Sequence, residues 1–313
     1  MRCGVNFSGI FTRCFAGAAV ISFLVSGCGD AQKSDGVLEV SAGLPPVAFL
    51  ASRIGGEAAT VSTMLPEGRS PHDYSPAPRD VQRAARSRIF LTTGMSFEKT
   101  LCRPLDGSRT TVCDVTDGIK RIPMELACGH GHDHDHAGHH DHGHGHDALD
   151  PHVWLDSENL CRMAENICKA FCAADPRNAE LYRANCAKLV GEIRSRHRQM
   201  AAQLAPYKGR CFYVYHPAFG YFARMFDLRQ EAVELDGREI SPARLAGLIR
   251  QAKQDRVAVI FVQPQFSPSA MRALKRELKV EIKTADPLRR DVLKNMQELA
   301  SELEKAFAEY DSK

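Results

Sequence analysis

The chain reads as an α/β protein of two βα lobes, each with a mostly parallel sheet, joined by one long linking helix. Three observations predict this. Short apolar or β-branched runs alternate with stretches whose apolar residues recur every three or four positions. The alternation occurs twice, over 37–175 and again over 206–313. Between the two, 176–205 keeps a single helical period without a break.

Val37–Ala42 opens the first lobe as a short strand. Pro45-Pro46 starts a helix with Val47, Leu50 and Ile54 on one face, and Gly55-Gly56 closes it, as glycine does past a helix C-terminus. Ala58–Leu65 is apolar and β-branched and is expected as a buried strand, running into the loop Pro66–Tyr74. Pro78 starts the next helix, Arg88–Thr92 is a strand, a helix follows from Ser96, and Thr111–Val115 is a weaker strand. Asp156 caps a helix to about Cys172, whose apolar face is Leu160, Met163, Ala164, Ile167 and Phe171. Cys161, Cys168 and Cys172 share another face, where packing thiols are favoured over a metal cluster.

Asp175-Pro176 caps the linking helix, which runs to about Leu204 with a stripe of Tyr182, Cys186, Leu189, Ile193, Met200 and Leu204. His197 falls within that stripe and reads as a boundary residue rather than a ligand. The second lobe is four βα units in a row. Its strands are Cys211–Tyr215, Glu231–Leu235, Val257–Val262 and Val280–Thr284. Val257–Val262 is wholly apolar and should be central, covered on both faces. A helix rich in Phe and Tyr follows His216-Pro217, Ser241-Pro242 and Ser267-Pro268 start two more, and the last carries Val292, Met296, Leu299 and Leu303.

The formal charge of +3 includes Arg2 and Arg13, which form the positive region of a leader. The mature chain is therefore near neutral, and no basic stripe with interleaved aromatics marks a nucleic-acid partner. Phe15–Val25 is apolar but too short for a settled transmembrane helix. Val25-Ser26-Gly27-Cys28 resembles a lipobox, at which bacterial lipoproteins are cleaved and acylated on the cysteine. Residues 1–27 are thus expected as a lipoprotein signal peptide, Cys28 as the lipidation site and 28–36 as a polar tether. A plain signal peptide that happens to contain Cys28 is the alternative. No later segment is long and apolar enough to cross a membrane, so the protein is expected outside the cytoplasm, lipid-anchored on the periplasmic side or at the cell surface. Beyond Cys28 stand Cys102, Cys113, Cys128, Cys161, Cys168, Cys172, Cys186 and Cys211, with no CxxC spacing to mark a thiolate zinc cluster. Disulfides are permitted in an exported protein, and buried thiols equally so.

Nine of the thirteen histidines lie in a Gly/Asp/His tract over 129–147: His130, His132, His134, His136, His139, His140, His142, His144 and His146. A tract with so little apolar content cannot pack as a strand or helix, and is expected to be a loop collecting divalent metal weakly at several sites. A tag or solvated linker is the plainer alternative. With His197 set aside, three lone histidines remain: His72 in a loop after a strand, His152, and His216 just past a strand's C-terminal end. Asp286 also follows a strand. Ligands in open parallel sheets bind outside the carboxyl ends of the strands, so two facing sheets would gather these residues in the cleft. Three imidazoles with a carboxylate or water suit tetrahedral Zn²⁺. Each also reads as a hydrogen-bonded loop histidine, and the spacing by itself is not a motif.

The words around these residues carry more. Ile54-Gly55-Gly56-Glu57, Pro71-His72-Asp73-Tyr74-Ser75-Pro76-Ala77-Pro78, Gly94-Met95-Ser96-Phe97-Glu98 and Pro151-His152-Val153-Trp154-Leu155-Asp156 all resemble one family. So do His216-Pro217-Ala218-Phe219-Gly220-Tyr221-Phe222, Val259-Ile260-Phe261-Val262-Gln263-Pro264-Gln265-Phe266 and Asp286-Pro287-Leu288. Together they resemble the zinc-type substrate-binding lipoproteins of bacterial metal-ion ABC importers, across essentially the whole mature chain. The resemblance implies metal in the interlobe cleft on His72, His152 and His216, with Asp286 at a more variable fourth position. It implies Zn(II) as transported ligand, an ABC permease and ATPase as partners, and a monomer that is not an enzyme. Manganese-type relatives usually carry Glu where His216 stands, so the imidazole favours zinc over manganese or iron. Gln263 departs from the Glu of many relatives, which bears on a cleft contact. A metal-buffering or adhesive surface lipoprotein and a zinc hydrolase are the rival readings. For a hydrolase, Glu98 or Asp286 would have to serve as general base, without an HExxH motif.

Overall fold

The computed structural model describes residues 36–124, 149–233, 242–265 and 280–312. The leader with Cys28, the histidine tract, Cys128 and the helix expected after Ser267-Pro268 lie outside them. Two four-stranded sheets, parallel throughout, form the frame. The first contains β1 (Leu38–Ala42), β2 (Ala59–Thr63), β3 (Ile89–Thr92) and β4 (Thr111–Asp114) in the order β2-β1-β3-β4. The second contains β5 (Cys211–Val214), β6 (Arg229–Ala232), β7 (Val259–Val262) and β8 (Glu281–Thr284) in the order β6-β5-β7-β8. The two lobes thus repeat one strand order.

Helices α1 (Pro45–Gly55), α2 (Pro78–Arg86), α3 (Ser96–Cys102) and α4 (Ser157–Ala174) belong to the first lobe. Helices α6 (Gly220–Met225), α7 (Pro242–Gln254) and α8 (Val292–Asp311) belong to the second. The linking helix α5 (Ala179–Leu204) follows a 3₁₀ turn at Pro176–Asn178 and ends in another at Ala205–Tyr207. Its 26 residues span about 39 Å at roughly 1.5 Å per residue. The stripe Tyr182, Cys186, Leu189, Ile193, Met200 and Leu204 is buried as its period predicts. It packs on α1 and α4 from the first lobe and on α8 from the second. Each large apolar side chain buried there contributes about 1.5–3 kcal/mol. His197, half-buried, stacks on Phe226 with ring centroids 5.7 Å apart. Among the described residues, Cys102, Cys113, Cys161, Cys168, Cys172 and Cys186 stand as thiols outside any disulfide.

One core cluster runs through the first lobe, α5 and the inner face of the second sheet; a smaller one lies on that sheet's other face. Alternate residues of β7 enter the two clusters, Val259 and Phe261 the first, Ile260 and Val262 the second. This is the central, doubly covered strand that its apolar run implies.

Two strands differ from expectation. The run Ala58–Leu65 was expected to be buried, yet β2 is an edge strand, paired only with β1 and partly exposed along its length. Residues 229–232 form β6, two positions before the Glu231–Leu235 expected from hydropathy. The polar start hides it: Gln230 is buried with its Oε1 accepting from the Phe219 amide at 2.6 Å and its Nε2 unpaired among the described residues, and Arg229 pairs with Asp255 at 3.1 Å. A buried polar group with a partner costs little, and hydropathy does not register the partner.

Candidate metal centre

The C-terminal ends of both sheets face one cleft. The loop after β2 brings His72, a 3₁₀ turn at Val153–Leu155 follows His152, and His216 stands two residues beyond β5. Their rings converge, with centroids 5.4 Å apart for His72–His152, 4.9 Å for His72–His216 and 5.4 Å for His152–His216. One ring nitrogen from each lies within 4.8 Å of the other two. His72 Nε2 and His152 Nε2 are 3.3 Å apart. With Zn–N near 2.0–2.1 Å, the nitrogen–nitrogen edge of a tetrahedral site is roughly 3.3 Å, so this pair already stands at ligand spacing. The space among Ser70, Pro71, the three histidines, Gln263, Gln265, Pro287 and Leu288 is about 20 Å³, enough for a particle the size of water. An ion fits there.

Each histidine is held differently. His152 is 2 % exposed, and its Nδ1 and its backbone amide both lie 2.8 Å from Asp150 Oδ1. A carboxylate at Nδ1 keeps the proton there and turns the Nε2 lone pair into the cleft. Asp150 is itself buried, and its carbonyl accepts from Tyr221 Oη at 3.1 Å. A Cβ at Gly220 would stand 3.0 Å from Asp150 Oδ2, so glycine there lets the start of α6 approach the carboxylate. Beside His152, Trp154 is fully buried and its Nε1 donates to Pro287 O across the cleft at 2.7 Å. His72 sits on the exposed rim. Its loop is tied down after it, where Asp80 accepts from Tyr74 Oη and the Ala77 amide, each at 2.8 Å.

Desolvation in the cleft lowers the pKa of both His72 and His152 below the ordinary imidazole value, the His72 ring facing the cleft although the residue stands at its exposed rim. Repulsion from the other rings adds to this, while Asp150 partly offsets it at His152. Both rings therefore favour the neutral form that a metal requires.

Asp286 does not join the three nitrogens. Its Oδ1 accepts from Gln265 Nε2 at 2.9 Å and from the Leu288 amide at 3.0 Å, bracing the turn that lends Pro287 and Leu288 to the pocket. Glu98 is fully buried elsewhere, capping α3 through the Thr93 and Met95 amides at 2.8 and 2.9 Å. Asp150, which holds His152, went unmarked in the sequence, whereas Gln263, expected there to bear on a cleft contact, meets the main chain of His216. For Asp150 the available signal was a carboxylate two positions before a lone histidine.

Residues 40–306 match the model of a family described as the periplasmic component A of zinc-uptake complexes. The chain is 26% identical over 261 residues to the high-affinity zinc uptake system protein ZnuA of Yersinia pestis, covering 78% of this chain and 80% of that one. It is 25% identical over 274 residues to the manganese-binding lipoprotein MntA of Halalkalibacterium halodurans, covering 84% of each. A crystal structure of ZnuA superposes with a TM-score of 0.76 at 27% identity, over 86% of this chain and 99% of that one.

Proposed function

The chain belongs to the family of zinc-uptake complex component A, and from that premise we propose that it captures Zn²⁺ between its lobes and passes it to an ABC permease and its ATPase. The observation that carries this is the meeting of His72 and His152 from one lobe with His216 from the other, in a space sized for an ion. An all-imidazole set suits Zn²⁺ better than Mn²⁺, which prefers oxygen. Manganese delivery is the second reading, favoured by the likeness to a manganese-binding lipoprotein.

The proposed ligands are His72, His152 and His216. Asp286, at the variable fourth position, has Oδ1 engaged by Gln265 and the Leu288 amide, so Oδ2 is the oxygen it would offer to a metal. No catalytic role is proposed: Glu98 and Asp286, the carboxylates available as general base, are both engaged in bracing the fold. The tract over 129–147 is assigned auxiliary weak sites that raise local zinc concentration. The location is extracytoplasmic, with a single chain tethered by lipid on Cys28. Incorporation of labelled fatty acid that persists in Cys28→Ala would refute the anchor.

The deciding experiment is competition with a chelator, on protein that starts after Cys28 and lacks 129–147. One tight equivalent is expected, lost in His216→Ala and preferring Zn²⁺ over Mn²⁺. No tight equivalent would make the tract the principal binder and the protein a metal buffer.

A further inference from the structure

Gln263 is the first residue past β7 and is 1 % exposed. Its side chain meets the main chain of His216, 47 positions earlier. Oε1 accepts from the His216 amide at 3.1 Å, and Nε2 donates to the His216 carbonyl at 2.6 Å. The β5–β7 ladder pairs Tyr213 with Ile260 and Val214 with Phe261, and ends where the Tyr215 amide donates to Phe261 O at 2.8 Å. His216 therefore lies just beyond the sheet. The primary amide of Gln263 supplies the rung that no strand residue makes there.

A primary amide offers a donor and an acceptor on one carbon, so a single side chain can hold both main-chain groups of one residue. A carboxylate in the same place would accept from the amide but would set a second acceptor against the carbonyl. Among the proposed ligands, His216 is the one from the second lobe; beyond the sheet its carbonyl also accepts from the Ala218 amide at 2.8 Å, and its ring position depends on such contacts outside the ladder. Ligand distances in a metal site tolerate only about ±0.2 Å.

We propose that Gln263 is a positioning residue for the metal site: it clamps the His216 backbone so that the ring stands ready before the ion arrives. The proposal rests on the three-histidine reading. Its consequence is higher affinity and a four-coordinate geometry suited to Zn²⁺, without contact between Gln263 and the metal.

The test compares Gln263→Met, which keeps the volume and removes both bonds, with Gln263→Asn, which keeps the amide but shortens its reach. Neither changes charge. Zinc affinity is measured by chelator competition and coordination by the visible absorption of bound Co²⁺, with urea unfolding of the metal-free proteins alongside. Zinc affinity is expected to fall roughly 10–100-fold in both, the range for partners that orient a ligand. Weaker Co²⁺ bands are expected as tetrahedral geometry loosens, with the unfolding midpoint of the metal-free protein lowered in Gln263→Met, which loses two buried bonds to the His216 main chain. Wild-type affinity and Co²⁺ spectrum in either folded variant overturn the proposal. Should Gln263→Met fail to fold, Gln263→Asn decides by the same criteria. His216→Ala, run in parallel, separates the two levels. If it keeps the tight site, the three-histidine reading fails; if it loses the site while both Gln263 variants keep it, only the clamp fails.

Discussion

The buried wall of the cleft and its exposed rim bring the same kind of side chain to the same point by different means. At the wall, His152 is enclosed, its tautomer is set by Asp150, and Trp154 beside it bonds across to Pro287. At the rim, His72 is open to solvent on a loop whose restraints lie at Ser70 and Asp80. The wall is built before any ion arrives, because the His152 amide and Nδ1 and the Trp154 Nε1 each have a partner that fixes their direction. An ion bound by the three proposed histidines would enter past the rim, which would therefore have to yield. One part of the proposed site contributes preorganisation, the other access.

The sharpest break of this contrast is His152→Ala, expected to weaken zinc by more than the roughly 100-fold at the top of the range for orienting partners. His72→Ala is expected to cost less, since water can reach the vacated position at the rim. Equal losses in chelator competition would abolish the distinction. Asp150→Asn comes next, with a loss of roughly 10–100-fold from a misdirected His152 ring. Trp154→Phe removes the bond to Pro287 O and leaves a buried carbonyl unpaired, at a cost of about 1–3 kcal/mol in urea unfolding. An unchanged midpoint would show that this cross-cleft bond contributes nothing.

The smallest expected effect is on pH dependence. His72 and His152 have lowered folded-state pKa values, so between those values and about 6.5 the unfolded chain binds protons that the folded sites refuse. Their contribution is complete above about 6.5 and is lost as pH falls below it. Glu98 runs the other way. Burial pushes its carboxyl up to about 7, so its contribution is present below the ordinary carboxylate range and is lost as pH rises toward 7. Unfolding midpoints of the metal-free protein at pH 5, 6 and 7 should rise less steeply in His72→Gln than in the wild type. Parallel profiles would show that the rim ring does not report its surroundings.

Much of this architecture was legible in the chain. The alternation of apolar runs and helical periods sets out two parallel sheets, and the unbroken stripe from Tyr182 to Leu204 sets out the helix between them. Lone histidines at strand ends marked the cleft, because the carboxyl ends of parallel strands are where loops converge. The edge position of β2 and the polar start of β6 were not legible. An apolar run does not say how many neighbours a strand has, and a buried Gln reads as exposed until its partner is known.

Local sequence, then, sets which segments leave water and which residues carry chemistry suited to a metal. How each is used follows from the packing of distant elements. It turned Asp286 to Gln265 and the Leu288 amide, set Asp150 behind His152, and brought Gln263 to the backbone of His216. The physical reason is range. Burial follows from local periodicity, which is written in neighbouring residues. A hydrogen bond of 3 Å between elements far apart in the chain depends on how whole sheets and helices pack, which no short stretch of sequence encodes.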